Sequence, residues 1–202
     1  IVAIANNTLR ILSLENLGDV FNQQSMELEL TPRKFVINPD NGRIVLIETD
    51  HNAMTQEMKQ LRKQKMAENM ISQVPKAQRD TMVKVAQEFL ENDLPESIYG
   101  SPQCGDNTWS SIIRLIDPLS KTTIQRIPLE QNQAAVSMAF IRFASDTQSN
   151  YILVGITNTY QIRMGIADSY EIQTYRFDHE TGLLQFIHRT EVEDVPRALT
   201  PF

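Results

Sequence analysis

The segment Glu48-Thr-Asp-His-Asn52 brings together residue types that could do chemistry. Two carboxylates, Glu48 and Asp50, and the imidazole of His51 follow the apolar run RIVLI. Carboxylate and imidazole groups bind zinc, manganese and iron. At the end of a strand, Asp50 and Asn52 can instead satisfy free amides where a helix begins, and negative charge is favourable there. We predict this junction role and no metal, because nothing in the sequence places either of the other two histidines beside His51.

A second candidate site is the basic segment KQLRKQK. It contains four cations: Lys59, Arg62, Lys63 and Lys65. Such a cluster can contact an acidic partner surface or RNA phosphates. The alternative is a solvated helix face, where Glu57 and Glu68 moderate the positive charge. The four residues are therefore possible partner-binding residues, and both roles remain open.

The composition excludes several classes of protein. The net charge is −6, so the whole chain is not a polyanion binder. With seven glycines, neither a dinucleotide fingerprint nor a phosphate loop occurs, and the single cysteine, Cys104, cannot form an internal disulfide. We therefore predict no enzyme, no cofactor and no membrane association. The chain begins without Met, and we expect it to be a piece of a longer polypeptide.

The elements that position these residues are mainly strands. Short runs rich in Val, Ile, Thr, Phe and Tyr alternate with polar turns such as NPDNG, DPLSK, ASDTQSN and DHETG. The predicted strands are 8–14, 26–30, 34–38, 43–48, 110–116, 123–128, 135–143, 151–157, 170–177 and 184–190. Three segments, beginning at Leu9, Ile112 and Glu171, share a pattern of strand, polar turn and strand. Such repeats are typical of four-stranded propeller blades.

The hydrophobic period changes to that of a helix between Met54 and about residue 92. We predict a helical hairpin inserted into the sheets, with Thr55 as the N-cap and a break near Ser72 and Pro75. The expected packing side comprises Met54, Met58, Leu61, Met66 and Met70 on the first helix, and Met82, Val85, Ala86, Phe89 and Leu90 on the second.

The predicted fold is mainly β, with about two complete four-stranded blades, part-blades at either end and the helical hairpin. Blade segments occupy residues 1–49 and 100–202 of one incomplete propeller domain, and the helical insertion occupies residues 50–99. Trp109 is expected to pack between blades. Residues 195–202 should begin a further strand. We expect the isolated chain to be insoluble, oligomeric or partly molten, because blades need neighbours to bury both faces.

A family resemblance rests on TPRKFVINPDNGRIVLIETDHNAMT, ENDLPESIYGSP, IIRLIDP, IPLEQNQAAVSMAF, YILVGIT and VEDVPRALTPF. Together these segments resemble the third propeller region of the subunit 3 family of splicing factor 3b, whose members are large propeller proteins. That family is related to the large damage-specific DNA-binding protein and to the large cleavage-and-polyadenylation subunit.

The resemblance implies a nuclear, non-catalytic scaffold in pre-mRNA splicing that supports recognition of the branch site. The implied partners are a HEAT-repeat subunit, the small subunits of splicing factor 3b and the remaining blades of the parent polypeptide. Two alternatives remain. One is a propeller scaffold for ubiquitin ligation or for 3′-end processing, and the other is direct RNA contact through the basic helix.

Overall fold

A computed structural model describes residues 2–5, 8–13, 22–92, 98, 104–105 and 108–200 of the chain. The chain divides into two compact units. One unit contains residues 1–53 and 107–202, and the other contains residues 54–106.

The first unit is built from strands. They are β1 (Val2–Ala5), β2 (Thr8–Ser13), β3 (Asn22–Glu27), β4 (Pro32–Ile37), β5 (Ile44–His51), β6 (Trp109–Asp117), β7 (Thr122–Pro128), β8 (Gln133–Phe143), β9 (Asp146–Asn158), β10 (Ser169–Phe177) and β11 (Leu184–Val192). Every pair of neighbouring strands is antiparallel. The mainly β class is thereby confirmed.

The strands form three sheets in chain order. The first sheet is β1–β2–β3, the second is β4–β5–β6–β7, and the third is β8–β9–β10–β11. The prediction that strands before and after the insertion share one sheet is confirmed, because β5 pairs with β6 from Ile44↔Ile116 to His51↔Trp109. The prediction that the last four strands form the next sheet is also confirmed.

The second sheet lies between the other two. Along β5, Val45 and Ile47 pack into a core shared with the third sheet, whereas Ile44 and Leu46 pack against Leu9 and its neighbours in the first sheet. Successive side chains of a strand point to opposite faces, so the continuous apolar run IVLI at residues 44–47 fills both cores. A strand segment whose residues are all apolar, without alternating polar residues, therefore indicates a sheet that lies between two others.

Three of the predicted turns have one backbone design. In each, the amide of the fifth residue donates to the carbonyl of the first, with N–O distances of 2.8, 2.8 and 2.9 Å. The turns occupy residues 38–42, 117–121 and 178–182. Their fifth residues, Gly42, Lys121 and Gly182, all have φ between 62° and 70°. Only Lys121 carries a side chain in this left-handed conformation, which glycine adopts at no steric cost.

Several predicted boundaries were wrong. Strand β5 continues to residue 51, β3 spans residues 22–27 rather than 26–30, and most of the predicted turn 144–150 belongs to β9. Strand β1 was not predicted. Residues 195–200 form no strand, and the last two residues of that predicted strand lie outside the described part.

The second unit contains the predicted helical hairpin. Helix α1 (Gln56–Ser72) is followed by a short 3-10 helix (Lys76–Gln78) and by α2 (Arg79–Glu91). Thr55 is confirmed as the N-cap, because its hydroxyl accepts a hydrogen bond from the Met58 amide at 3.4 Å. The segment that leads back to the sheets lies mostly outside the described residues.

The predicted packing side of the hairpin was partly wrong. Ala67 on α1 and Ala86 on α2 are the buried residues of the two helices. Ala86 was on the predicted packing side, whereas Ala67 was not. The predicted packing residues Leu61, Met66, Val85 and Leu90 are exposed.

Candidate functional site

Glu48 is a structural carboxylate. Its side chain is fully buried, and Oε2 accepts hydrogen bonds from the Glu29 and Leu30 amides at 3.0 and 3.1 Å. The Arg114 guanidinium donates to both carboxylate oxygens, through Nε to Oε1 and through Nη2 to Oε2 at 3.3 Å. Both carboxylate oxygens are therefore bound by protein donors, and Glu48 holds neighbouring segments of the chain together.

The ion-pair network extends to Glu29 and Arg126. Glu29 Oε1 accepts from Arg114 Nη2 at 3.2 Å, and Arg126 donates to both Glu29 oxygens at 2.7 Å. The hydrogen bond from Arg126 is the main reason why the pKa of the Glu29 carboxyl lies below its usual range. The network ties the segment that precedes β4 to β5, β6 and β7.

Asp50 and His51 do not form a joint site. Asp50 accepts a hydrogen bond from the Thr31 amide at 3.0 Å and pairs with Arg33 at 3.5 Å. The His51 ring lies 4.7 Å from the Trp109 ring. As neighbours on a strand, the two side chains point to opposite faces, so they cannot share a metal ion. The predicted helix-capping role of Asp50 is wrong, because the carboxylate binds the segment before β4.

Within the described residues, no group of three or more His, Cys, Asp or Glu side chains is arranged to hold a metal ion. A polar cavity of about 180 Å³ lies at the turns of the second and third sheets. Of the two acidic residues that line it, Asp40 accepts hydrogen bonds from Asn150 and Arg142 at 2.6 and 2.5 Å, and Asp178 accepts one from the Thr181 amide at 2.8 Å. The volume is below the roughly 300–1,000 Å³ of a small-molecule site.

Trp109 joins the second and third sheets, as predicted. Its indole Nε1 donates to the Tyr160 carbonyl at 2.6 Å, and the two rings lie 6.0 Å apart. Tyr160 directly follows β9, and Trp109 begins β6. The side chain is 8% exposed, so it fills the contact between the sheets.

The four basic residues of α1 differ in their surroundings. Lys63 Nζ donates to the Leu90 and Asn92 carbonyls at 3.0 and 2.9 Å and lies 5.5 Å from the centroid of the Phe89 ring. Lys63 thus caps the end of α2 within the hairpin. Arg62 and Lys65 are exposed and Lys59 is half-buried. The helix therefore presents part of the predicted basic cluster and uses one member for its own structure.

Two polar atoms on one face of the third sheet are buried without a hydrogen-bond partner among the described residues. Ile156 points to the shared core, so Thr157 lies on the opposite face, as does Arg176 next to core residue Tyr175. Thr157 Oγ1 and Arg176 Nε are buried and have no hydrogen-bond partner among the described residues. Buried polar atoms normally have a hydrogen-bond partner, so these two atoms are exceptions in the part of the chain that the structure describes.

Arg114 is the main residue that the sequence analysis missed. A single arginine in the apolar run IIRLI is itself a signal, because a buried guanidinium needs a carboxylate partner. Its partner Glu48 is 66 positions away, across the helical insertion. The sequence pattern therefore predicts that Arg114 has a carboxylate partner but does not identify which carboxylate.

The chain is similar to proteins named as splicing factors. It is 46% identical to "Splicing factor 3B subunit 3" of Danio rerio and 43% identical to the protein of that name from Drosophila melanogaster. It is 32% identical to "Spliceosome-associated protein 130 A" of Arabidopsis thaliana. Each match covers 100% of this chain and 16–17% of the relative.

A family model described as "CPSF A subunit region" matches residues 110–202. No helix of the described residues is long and apolar enough to cross a membrane. The chain spans about one sixth of the length of the relatives it matches, and its similarity extends from its first residue to its last. The chain therefore belongs to the family of splicing factor 3B subunit 3.

Proposed function

We propose that this chain is a segment of a β-propeller that serves as a non-catalytic protein scaffold in pre-mRNA splicing. The observation that carries the proposal is the stacking of three antiparallel sheets in chain order, with the middle sheet buried on both faces. Propeller blades are four-stranded sheets that stack in this manner around an axis. The names of the relatives supply the process in which such a scaffold would act.

The third sheet supports the view that another blade follows. Ser137 Oγ donates to the Pro196 carbonyl, so the segment after β11 returns across this sheet to its first strand. A Cβ atom added at Gly155 would lie 2.8 Å from the same carbonyl oxygen. The residues around Pro196 are thus held against the face that carries Thr157 and Arg176. A following blade would stack on this face, over the segment around Pro196.

A scaffold role suits the chemistry of the buried groups. Glu48, Glu29 and Asp50 are all committed to arginines or backbone amides. Carboxylates used in this way position strands rather than act as a general acid or base toward a substrate. The proposed partners are the HEAT-repeat and small subunits of splicing factor 3b, with the nucleus as the site of action.

Co-purification of the complete parent protein from nuclear extract tests the proposal. We expect splicing factor 3b subunits in stoichiometric amounts, and we expect an extract depleted of the protein to lose splicing until purified protein is added back. Recovery of cullin or polyadenylation factors without splicing subunits would support the related scaffold functions instead.

We also propose a partner contact for the basic face of α1, formed by Lys59, Arg62 and Lys65. The exposure of Arg62 and Lys65 supports it, and the acceptor is an acidic protein surface or an RNA phosphate. Charge reversal of these residues in the complete protein should weaken one association, whereas the control Lys84→Glu on α2 should not. If the acceptor is single-stranded RNA, the slope of log K against log salt should be about −0.7 for each phosphate contacted.

A further inference from the structure

The connection between β9 and β10 presents an apolar tip to solvent. Ile162, Met164 and Ile166 are 53%, 70% and 49% exposed, although they lie within five residues of one another. Single exposed apolar side chains are common, but a contiguous group marks an interaction surface. We call residues 159–168 the apolar loop.

The apolar loop is held in one shape by its own backbone. The Gln161 amide donates to the Ile166 carbonyl at 2.8 Å, and the Gly165 amide donates to the Gln161 carbonyl at 2.8 Å. The Asp168 amide donates to the Asn158 carbonyl at 2.9 Å, which closes the base of the loop. A surface that is already ordered loses little conformational entropy when a partner binds.

The base of the loop is anchored to Trp109 of the second sheet and to Asn132, the residue before β8. Trp109 Nε1 donates to the Tyr160 carbonyl, and the Thr159 amide donates to the Asn132 carbonyl at 2.9 Å. Thr159 has φ of 53°, a left-handed conformation that is unusual for a β-branched residue. Such strained residues persist where the surroundings enforce them, and they cluster at functional sites.

Arg163 gives the apolar loop its chemical selectivity. It lies between Ile162 and Met164, is exposed, and forms no hydrogen bond or ion pair with any residue that the structure describes. Arginine and methionine are enriched in protein interfaces, and an arginine among aliphatic side chains favours a carboxylate at the edge of an apolar pocket.

We propose that the apolar loop docks into another protein, in an apolar pocket bordered by an Asp or Glu that pairs with Arg163. RNA fits less well, because the loop offers one cation, and the ring of its aromatic residue Tyr160 lies against Trp109 in a tilted arrangement. A second copy of this chain also fits less well, because its net charge of −6 makes two copies repel each other.

This inference rests on the proposed scaffold function in one respect, because it requires that the chain acts inside a larger assembly. The test uses the complete parent protein in its purified complex, with the photo-crosslinking residue p-benzoylphenylalanine in place of Ile162. The matched control carries it in place of Leu119, a single apolar residue that is 86% exposed in the turn between β6 and β7.

We expect the Ile162 position to crosslink to one protein segment that contains apolar residues and a carboxylate, and the Leu119 position to give no such product. Arg163→Glu should lower the crosslink yield about tenfold, whereas Arg163→Lys should retain most of the yield. When the partner's carboxylate residue is replaced by Arg, the yield with the Arg163→Glu protein should be restored.

Crosslinks to RNA or to a second copy, equal yields at Leu119, or a yield that Arg163→Glu leaves unchanged would overturn the docking site. If the complex assembles normally with any of these results, the apolar loop is not the docking site but the scaffold function stands. If the complex does not form at all with the unmodified protein, the scaffold function itself fails.

Discussion

The buried ion pair between Glu48 and Arg114 provides the sharpest energetic prediction. Glu48→Gln keeps an oxygen for the Glu29 and Leu30 amides but removes the charge that pairs with a guanidinium whose side chain is only 8% exposed. Breaking a buried pair by removing one partner costs about 3–5 kcal/mol, because the remaining charge is left without compensation. We adopt about 3 kcal/mol, because Arg114 retains its contact with Glu29.

Hydrogen exchange in the complete protein measures this loss locally. A decrease of about 3 kcal/mol raises the opening constant by roughly two orders of magnitude. We expect that increase at the Leu30 amide and along β5 and β6. The double variant Glu48→Gln/Arg114→Met should recover most of the protection, because no buried charge remains unpaired.

The matched control is Glu130→Gln, which removes an exposed ion pair. Glu130 is 73% exposed and lies 3.3 Å from Arg189. Such a pair contributes at most about 1 kcal/mol, so exchange near Arg189 should change less than tenfold. If Glu48→Gln and Glu130→Gln have equal effects, or if the double variant is worse than Glu48→Gln alone, the buried pair does not hold the second sheet as described.

Three further predictions concern other parts of the chain. The pKa of Glu29 is lower in the folded protein than its ordinary value of 4.5, so its ion pairs stabilise the fold above pH 4.5 and lose that effect as the pH falls through the lower pKa. Arg126→Met should therefore weaken the dependence of the free energy of unfolding on pH between pH 5 and pH 3. Gly155→Ala places a Cβ atom 2.8 Å from the Pro196 carbonyl oxygen and should cost about 1–3 kcal/mol in chemical denaturation. Lys63→Met removes the cap at the end of α2 and should lower stability by about 1 kcal/mol. We expect faster hydrogen exchange in the last turn of α2, whereas Lys65→Met, which changes an exposed lysine of α1, should leave that exchange unchanged.

Features set by neighbouring residues could be predicted from the sequence. Thr55 was identified as an N-cap because the hydroxyl and the amide it binds are three residues apart. The turns at 38–42 and 178–182 were identified because their glycines adopt a positive φ that other residues avoid. Strand order also followed from the repeat, since consecutive strands of a blade pair with one another.

Features set by distant contacts could not be predicted. The polar run after RIVLI resembles a strand end, yet β5 continues because Glu48 and Asp50 have partners supplied by β6 and by the segment before β4. Leu61 and Met66 were assigned to the packing side of α1, but both are exposed and Ala67 is buried. Periodicity records which residues share a side of a helix and does not indicate which other element covers that side.

The central claim is that this chain is part of a larger propeller, and a cryo-EM structure of the complete parent protein in its purified complex tests it most directly. We predict a further sheet stacked on the face of the third sheet that carries Thr157 and Arg176, opposite the core that the third sheet shares with the second. A structure in which that face is open to solvent, or is covered by something other than a sheet, would contradict it.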